Sequence, residues 1–153
     1  KYKMIATIEK LENYIKSVPG RFLAIDGVSV ENKPSPDKWS KKEVLGHLVD
    51  SAINNLQRLI RIQYEPGVKI VYDQDNWVKI QNYQELDKES VVELWYLMNQ
   101  QFIRIIKSFP PEKLKLEIDT GKQDVELHTA EFLIADYLAH MEHHLEQIFG
   151  LLD

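Results

Sequence analysis

Along four long stretches of this chain, apolar residues recur at the helical spacing, whereas only short segments alternate apolar and polar residues as a strand does. The first stretch runs from about Met4 to Ser17, with Ile5, Ile8, Leu11, Tyr14 and Ile15 on one stripe and Pro19-Gly20 as its predicted end. Arg21 to Asp37 reads as irregular, broken by Pro34 and Pro36. The second stretch opens at Ser40-Lys-Lys-Glu43, a capping box, and should run to about Gln63, before Pro66-Gly67. Its apolar arc, Leu45, Leu48, Val49, Ala52, Ile53, Leu56, Leu59 and Ile60, is wide enough to touch more than one neighbour. The third covers about Lys88 to Ser108, with Val92, Trp95, Tyr96, Asn99, Phe102, Ile103 and Ile106 as its core stripe, and Pro110-Pro111 stops it. The fourth starts at Thr129, a good N-cap, and reaches Ile148.

Four amphipathic helices with little strand predict an all-α, antiparallel four-helix bundle, and residues 1–153 are enough for one domain. Between the second and third helices lies a long connection, residues 64–86, rich in aromatic residues: Tyr64, Tyr72, Trp77 and Tyr83. Asp75 to Gln81 within it reads as a short helix, and connections this long are often functional. Leu114 to Ile118 and Val125 to Leu127, either side of Gly121, read as a small hairpin.

The chemistry of the chain is concentrated in its histidines. His140 and His144 are four residues apart, so one helix face carries both, about 6 Å apart along the axis. Two imidazoles in that relation can share one divalent ion, and His47, on a polar edge of the second helix, is the candidate third ligand. His143 points away from the pair by helical phase, and His128 lies before the fourth helix. Asp136 and Glu43, each one turn before a histidine, are candidate acceptors for the second ring nitrogen, although Glu43 also suits the capping box. Spacing alone leaves a second reading open, in which these histidines only hydrogen-bond to their neighbours. The glutamate of His-Glu-x-x-His is missing, so that hydrolytic signature does not apply. Arg58, on the same polar stripe as His47, either orients an anionic group of a substrate or pairs with a bundle carboxylate. Tyr72 and Trp77 are expected to form a lid or pocket wall near the histidines.

Composition narrows the function classes. The formal charge is -5 and no segment is densely basic, which argues against nucleic acid as a partner. No run of about 18 apolar residues is present, so no membrane-spanning helix is expected. No signal peptide is visible and cysteine is absent, consistent with a cytoplasmic location and excluding thiolate ligands or a cysteine nucleophile from the protein itself.

Trp39-Ser40-x-x-Glu43-x-x-x-His47-Leu48-x-Asp50, followed by Arg58 and Tyr72-Asp73-Gln74-Asp75-Asn76-Trp77, resembles the second helix and following loop of the DinB-like superfamily of metal-dependent enzymes. That superfamily includes YfiT-like proteins and the bacillithiol and mycothiol transferases. Thr129-x-x-x-Leu133-x-x-x-Tyr137-x-x-His140-x-x-x-His144-x-x-Gln147-Ile148 resembles its last core helix. The resemblance spans residues 36–150. It implies a bundle of up-down-down-up connectivity, a metal site on His47, His140 and His144, and zinc or nickel as the ion. It further implies a small-molecule substrate, a low-molecular-weight thiol as co-substrate in some relatives, and homodimerisation as an option with no face assigned. Two functional expectations follow: a metal-dependent enzyme, either a thiol S-transferase or a hydrolase; or a non-catalytic bundle that binds a small ligand or partner, with the metal structural or absent.

Overall fold

The computed structural model describes residues 2–150. Four long helices, α1 (Tyr2–Leu23), α3 (Lys41–Arg61), α5 (Lys88–Lys107) and α6 (Ala130–Phe149), pack as a bundle. Two short helices, α2 (Gly27–Glu31) and α4 (Gln74–Gln81), and a two-stranded hairpin of β1 (Glu117–Asp119) and β2 (Leu127–Thr129) fill the connections. Helix α3 packs on both α5 and α6, and α1 packs on the same two from the other side. One continuous apolar core results, including Leu45, Leu48, Ala52, Trp95, Phe102 and Leu145.

Side-chain contacts fix the direction of each helix. Tyr14 hydrogen-bonds Glu142 and the Phe22 ring meets that of Phe149, so α1 and α6 run parallel. Lys88 donates to the Leu23 carbonyl while Lys107 pairs with Glu12, so α1 and α5 are antiparallel. Lys42 donates to the Leu86 carbonyl at one end and Lys113 to the Gln63 carbonyl at the other, so α3 and α5 are parallel. His47 faces the last turns of α6, so α3 and α6 are antiparallel. The connectivity is therefore up-down-down-up.

Parallel α3 and α5 explain the long connection between them. The chain must climb back along a helix of 21 residues, roughly 30 Å, before α5 can begin. It does so pressed against α3: the Ile70 carbonyl accepts from Arg58, Tyr83 and Gln81 donate to Asp50, and Gln84 accepts from Ser40 at the helix start. Gly46 makes that route feasible. A Cβ there would lie 2.2 Å from the Tyr83 ring, so only glycine lets the tyrosine lie flat on the helix.

The caps expected at Ser40 and Thr129 form, the first as a complete capping box with Glu43. Asp73 and Asp87 cap α4 and α5 in the same way. Two expectations are corrected. Helix α1 does not end at Pro19-Gly20 but continues to Leu23. A proline costs the helix one hydrogen bond, and burial of Val18 and Phe22 in the core outweighs that loss. The segment from Arg21 to Asp37 is not wholly irregular either: Asp26 caps the short α2, whose Val30 is buried. The hairpin forms with Ile118 opposite His128, shorter than the sequence pattern suggests. The start of its expected first arm, Leu114 and Lys115, is instead a turn that follows a stretch of 3-10 helix at Pro111–Lys113. Among the described residues, no helix is long and apolar enough to cross a membrane.

Candidate metal centre

His47 sits in the second turn of α3, and His140 and His144 in the last three turns of α6. Because these helices are antiparallel, the two ends meet and the three rings form a triangle. Their centroids are 4.9 Å (His47 to His140), 4.7 Å (His47 to His144) and 4.6 Å (His140 to His144) apart. One nitrogen from each ring lies within 4.8 Å of the others. The Nε2 atoms of His47 and His140 are 3.0 Å apart. His47 is wholly buried and the other two are half-buried. His143 is exposed beside His144 and outside the triangle. His128 is occupied elsewhere, stacked on Phe132 and hydrogen-bonded to Glu126.

The surroundings keep these rings neutral. Burial, reinforced by the other two histidines, pushes His47 down to about 3. Burial and the neighbouring His144 and His143 push His140 down to about 4. His144 is also lowered by burial, partly offset by its bond to Gln147. Neutral imidazole is the form that binds metal. Each ring takes up a proton on unfolding when the pH lies between its depressed folded value and about 6.5, the ordinary value. The metal-free protein is therefore expected to lose stability as pH falls below about 6.5, by up to about 1.4 kcal/mol per pH unit for each ring involved. Urea midpoints from pH 7.5 to 4.5 check this, and a triple variant with all three histidines changed to glutamine should show a flatter profile.

Hydrogen bonds orient part of the triangle. His144 Nδ1 lies 2.8 Å from Gln147 Oε1, so Nδ1–H donates and leaves Nε2 free as a ligand. The acceptors expected for the other two rings are engaged elsewhere. Glu43 accepts from the Ser40 backbone N–H within the capping box and lies 3.5 Å from Lys33. Asp136 makes no hydrogen bond with His140; its charge acts on Arg58. His47 Nδ1 is buried without a partner among the described residues.

Trp39 covers the triangle, its ring 4.8 Å from that of His47 and 6.5 Å from that of His144. Beside it opens a cleft of about 630 Å³ lined by Trp39, His143, His144, Glu146, Gln147 and Gly150. Of the aromatic pair expected near the histidines, Tyr72 lies beside Ser51, one turn after His47 on α3. Tyr72 and Trp77 pack on each other, and Tyr72 lies over Arg58 with its hydroxyl bonded to Ser51. Trp39, which the sequence pattern does not assign to the site, is the aromatic residue whose ring contacts those of His47 and His144. The sequence signal for it was its position just before the Ser40 cap, which ties it to the start of α3.

Arg58 is about three turns, roughly 16 Å, along α3 from His47. Its Nε and Nη2 donate to the Ile70 carbonyl and its Nη1 to Asn55. Asp50, one turn after His47, is wholly buried. Its Oδ1 accepts from Tyr83 and Gln81, while Oδ2 has no partner, and burial raises its pKa. It anchors the crossover to α3.

The donor set fits a divalent ion. Nitrogen ligands of tetrahedral zinc, at bonds of 2.0–2.1 Å, lie about 3.3 Å apart, and the closest pair here is 3.0 Å apart. Three neutral nitrogens from two helices leave room for an exogenous ligand.

A four-helix bundle of up-down-down-up connectivity with three histidines at one end defines the class. The sequence model of the DinB superfamily matches residues 20–148, and the chain belongs to that superfamily. Among solved structures it is similar to YfiT from Bacillus subtilis, described as a probable metal-dependent hydrolase with an unusual four-helix bundle topology. The TM-score is 0.87 at 19% identity, covering 97% of this chain and 85% of that one. It is also similar to the DinB-like protein YjoA of Bacillus subtilis, with a TM-score of 0.62 at 16% identity over 96% of this chain and 87% of that one. No curated protein matches the chain in sequence. At these identities the structural matches establish the fold.

Proposed function

We propose that the protein is a metal-dependent enzyme that hydrolyses a small molecule in the cleft beside Trp39, with His47, His140 and His144 holding a zinc or nickel ion. The carrying observation is the convergence of three buried or half-buried neutral imidazoles from two helices next to an open cleft. YfiT's description as a probable metal-dependent hydrolase supports the choice of hydrolysis. When bound, such an ion supplies Lewis acidity and lowers the pKa of a coordinated water or thiol. The chain supplies the rest. Gln147 holds the His144 tautomer, Trp39 shields the histidines from bulk water and offers an aromatic wall to an apolar substituent, and Glu146 is the one carboxylate of the cleft lining.

Transfer of a low-molecular-weight thiol is the second reading. It is favoured by the neutrality of the donor set, which leaves the ion's charge uncompensated and so suits an anionic thiolate. The same panel separates the two: zinc- and nickel-loaded protein assayed on esters and amides, and on thiols with electrophiles. Turnover of the first group supports hydrolysis, and of the second supports transfer. No turnover in either would leave the bundle as a ligand-binding protein. Gln147→Ala should weaken metal binding about 10- to 100-fold, the usual effect of losing a ligand-orienting partner, and competitive chelator titration would measure it.

A further inference from the structure

A second polar pocket lies on α3 away from the histidines. It measures about 230 Å³ and is lined by Arg58, Val71, Tyr72, Gln74, Thr120 and Lys122, with no carboxylate in its wall. Three elements build it: α3 carries Arg58, the crossover carries Val71, Tyr72 and Gln74, and the hairpin loop carries Thr120 and Lys122.

Arg58, Tyr72 and the backbone of the hairpin loop are held in place. Arg58 is half-buried; its Nε and Nη2 donate to the Ile70 carbonyl at 3.2 and 2.8 Å, and its Nη1 to Asn55 at 3.3 Å. A guanidinium has five N–H groups, so two remain unused. The Tyr72 ring lies 5.7 Å from the guanidinium carbon, and its hydroxyl is bonded to Ser51. The hairpin loop is fixed by Asp119, whose Oδ1 accepts from the Gly121 and Glu126 backbone N–H groups, and by the backbone bond from Thr120 to Glu126. Gly121 is required there, because a Cβ would lie 1.8 Å from the Asp124 carbonyl oxygen.

The charges are not internally neutralised. Among the described residues, neither Arg58 nor Lys122 has a carboxylate within ion-pairing distance. Asp136 and Asp73 act on them only from further away, and Asp73 is engaged in capping α4. A forked cation with spare N–H groups and an ammonium around one small cavity are donors that recognise an oxyanion, while the Thr120 hydroxyl in the wall donates to the Glu126 carbonyl at 3.5 Å.

We infer that this pocket is a binding site for a small oxyanion, a carboxylate or phosphate group, held by Arg58 and Lys122 with Thr120 in its wall. The group is either a free anion or the anionic end of a longer ligand reaching from the histidine cleft. The inference does not rest on the proposed hydrolysis, since the pocket is complete without a metal.

The test has two arms. In the first, inorganic phosphate is titrated into metal-free protein, followed by the Arg58 Nε–H and Thr120 backbone N–H resonances. In the second, zinc-loaded protein is titrated with a carboxylate-terminated alkanethiol and with a thiol of the same length ending in a methyl group. Arg58 also fastens the crossover, so the variants are Lys122→Ala and Thr120→Val, which leave the Ile70 bonds intact. Saturable phosphate binding, at least tenfold weaker in the double variant, supports a free-anion site. Tighter binding of the carboxylate-terminated thiol, lost in the double variant, supports the anionic end of a histidine-site ligand. Responses that do not saturate, or that are the same in wild type and double variant in both arms, overturn the inference. Failure of zinc to bind affects only the second arm, which keeps this result separable from the proposed function.

Discussion

His47→Ala is expected to abolish stoichiometric zinc or nickel binding, lowering affinity by at least about 100-fold, since loss of a direct ligand exceeds the 10- to 100-fold effect of losing an outer partner. The reason is geometric. His140 and His144 share a helix and can still meet, but the closest nitrogen pair in the triangle, at 3.0 Å, includes His47. The change has a thermal signature. A ligand bound only by the folded state stabilises it by mass action, about 4 kcal/mol at a thousandfold excess over Kd, or roughly 10 °C in melting temperature for a chain of this size. In wild type a chelator should erase that gain. In His47→Ala the chelator-sensitive gain should fall to about a third of that or less. His143→Ala, a change at an exposed position outside the triangle, should keep the full response.

Gly46→Ala should cost about 4 kcal/mol of stability, a large effect for one methyl group. The new Cβ would meet the Tyr83 ring at 2.2, 2.4 and 2.5 Å, so the tyrosine must leave α3. Its hydroxyl then no longer donates to Asp50, a buried carboxylate whose second oxygen already lacks a partner. Overpacking and an unpaired buried acceptor thus add together. Urea denaturation measures the loss. Combining the change with Tyr83→Ala removes the clash, so the double variant should lose less than the sum of the single ones. A loss below about 1 kcal/mol for Gly46→Ala would mean that the crossover does not lie on α3 as described.

The sequence made the bundle legible because its apolar stripes and caps are local signals. Ser40 with Glu43, and Thr129, mark helix starts by their own side chains. Helical phase likewise separated His140 and His144 from His143, because one helix fixes their relative directions. What stayed hidden depends on distant segments meeting. Pro19 reads as a stop until Phe22 is seen against Phe149, 127 positions along the chain. Trp39 does not read as part of the site until α3 and α6 are seen to bring His47 and His144 against its ring. Glu43 could serve either the cap or His47, and the cap takes it. Gln147, three residues after His144, was within reach of helical reasoning, but a carboxylate was the expected partner.

X-ray absorption of the purified protein loaded with one equivalent of zinc tests the metal site most directly. The predicted spectrum shows three imidazole nitrogens at about 2.0–2.1 Å with the remaining coordination filled by a light exogenous ligand, and His47→Ala, His140→Ala and His144→Ala should each remove that signature. Zinc that fails to bind, or that binds with the same spectrum after any of the three substitutions, would contradict the assignment of this triangle as the metal centre.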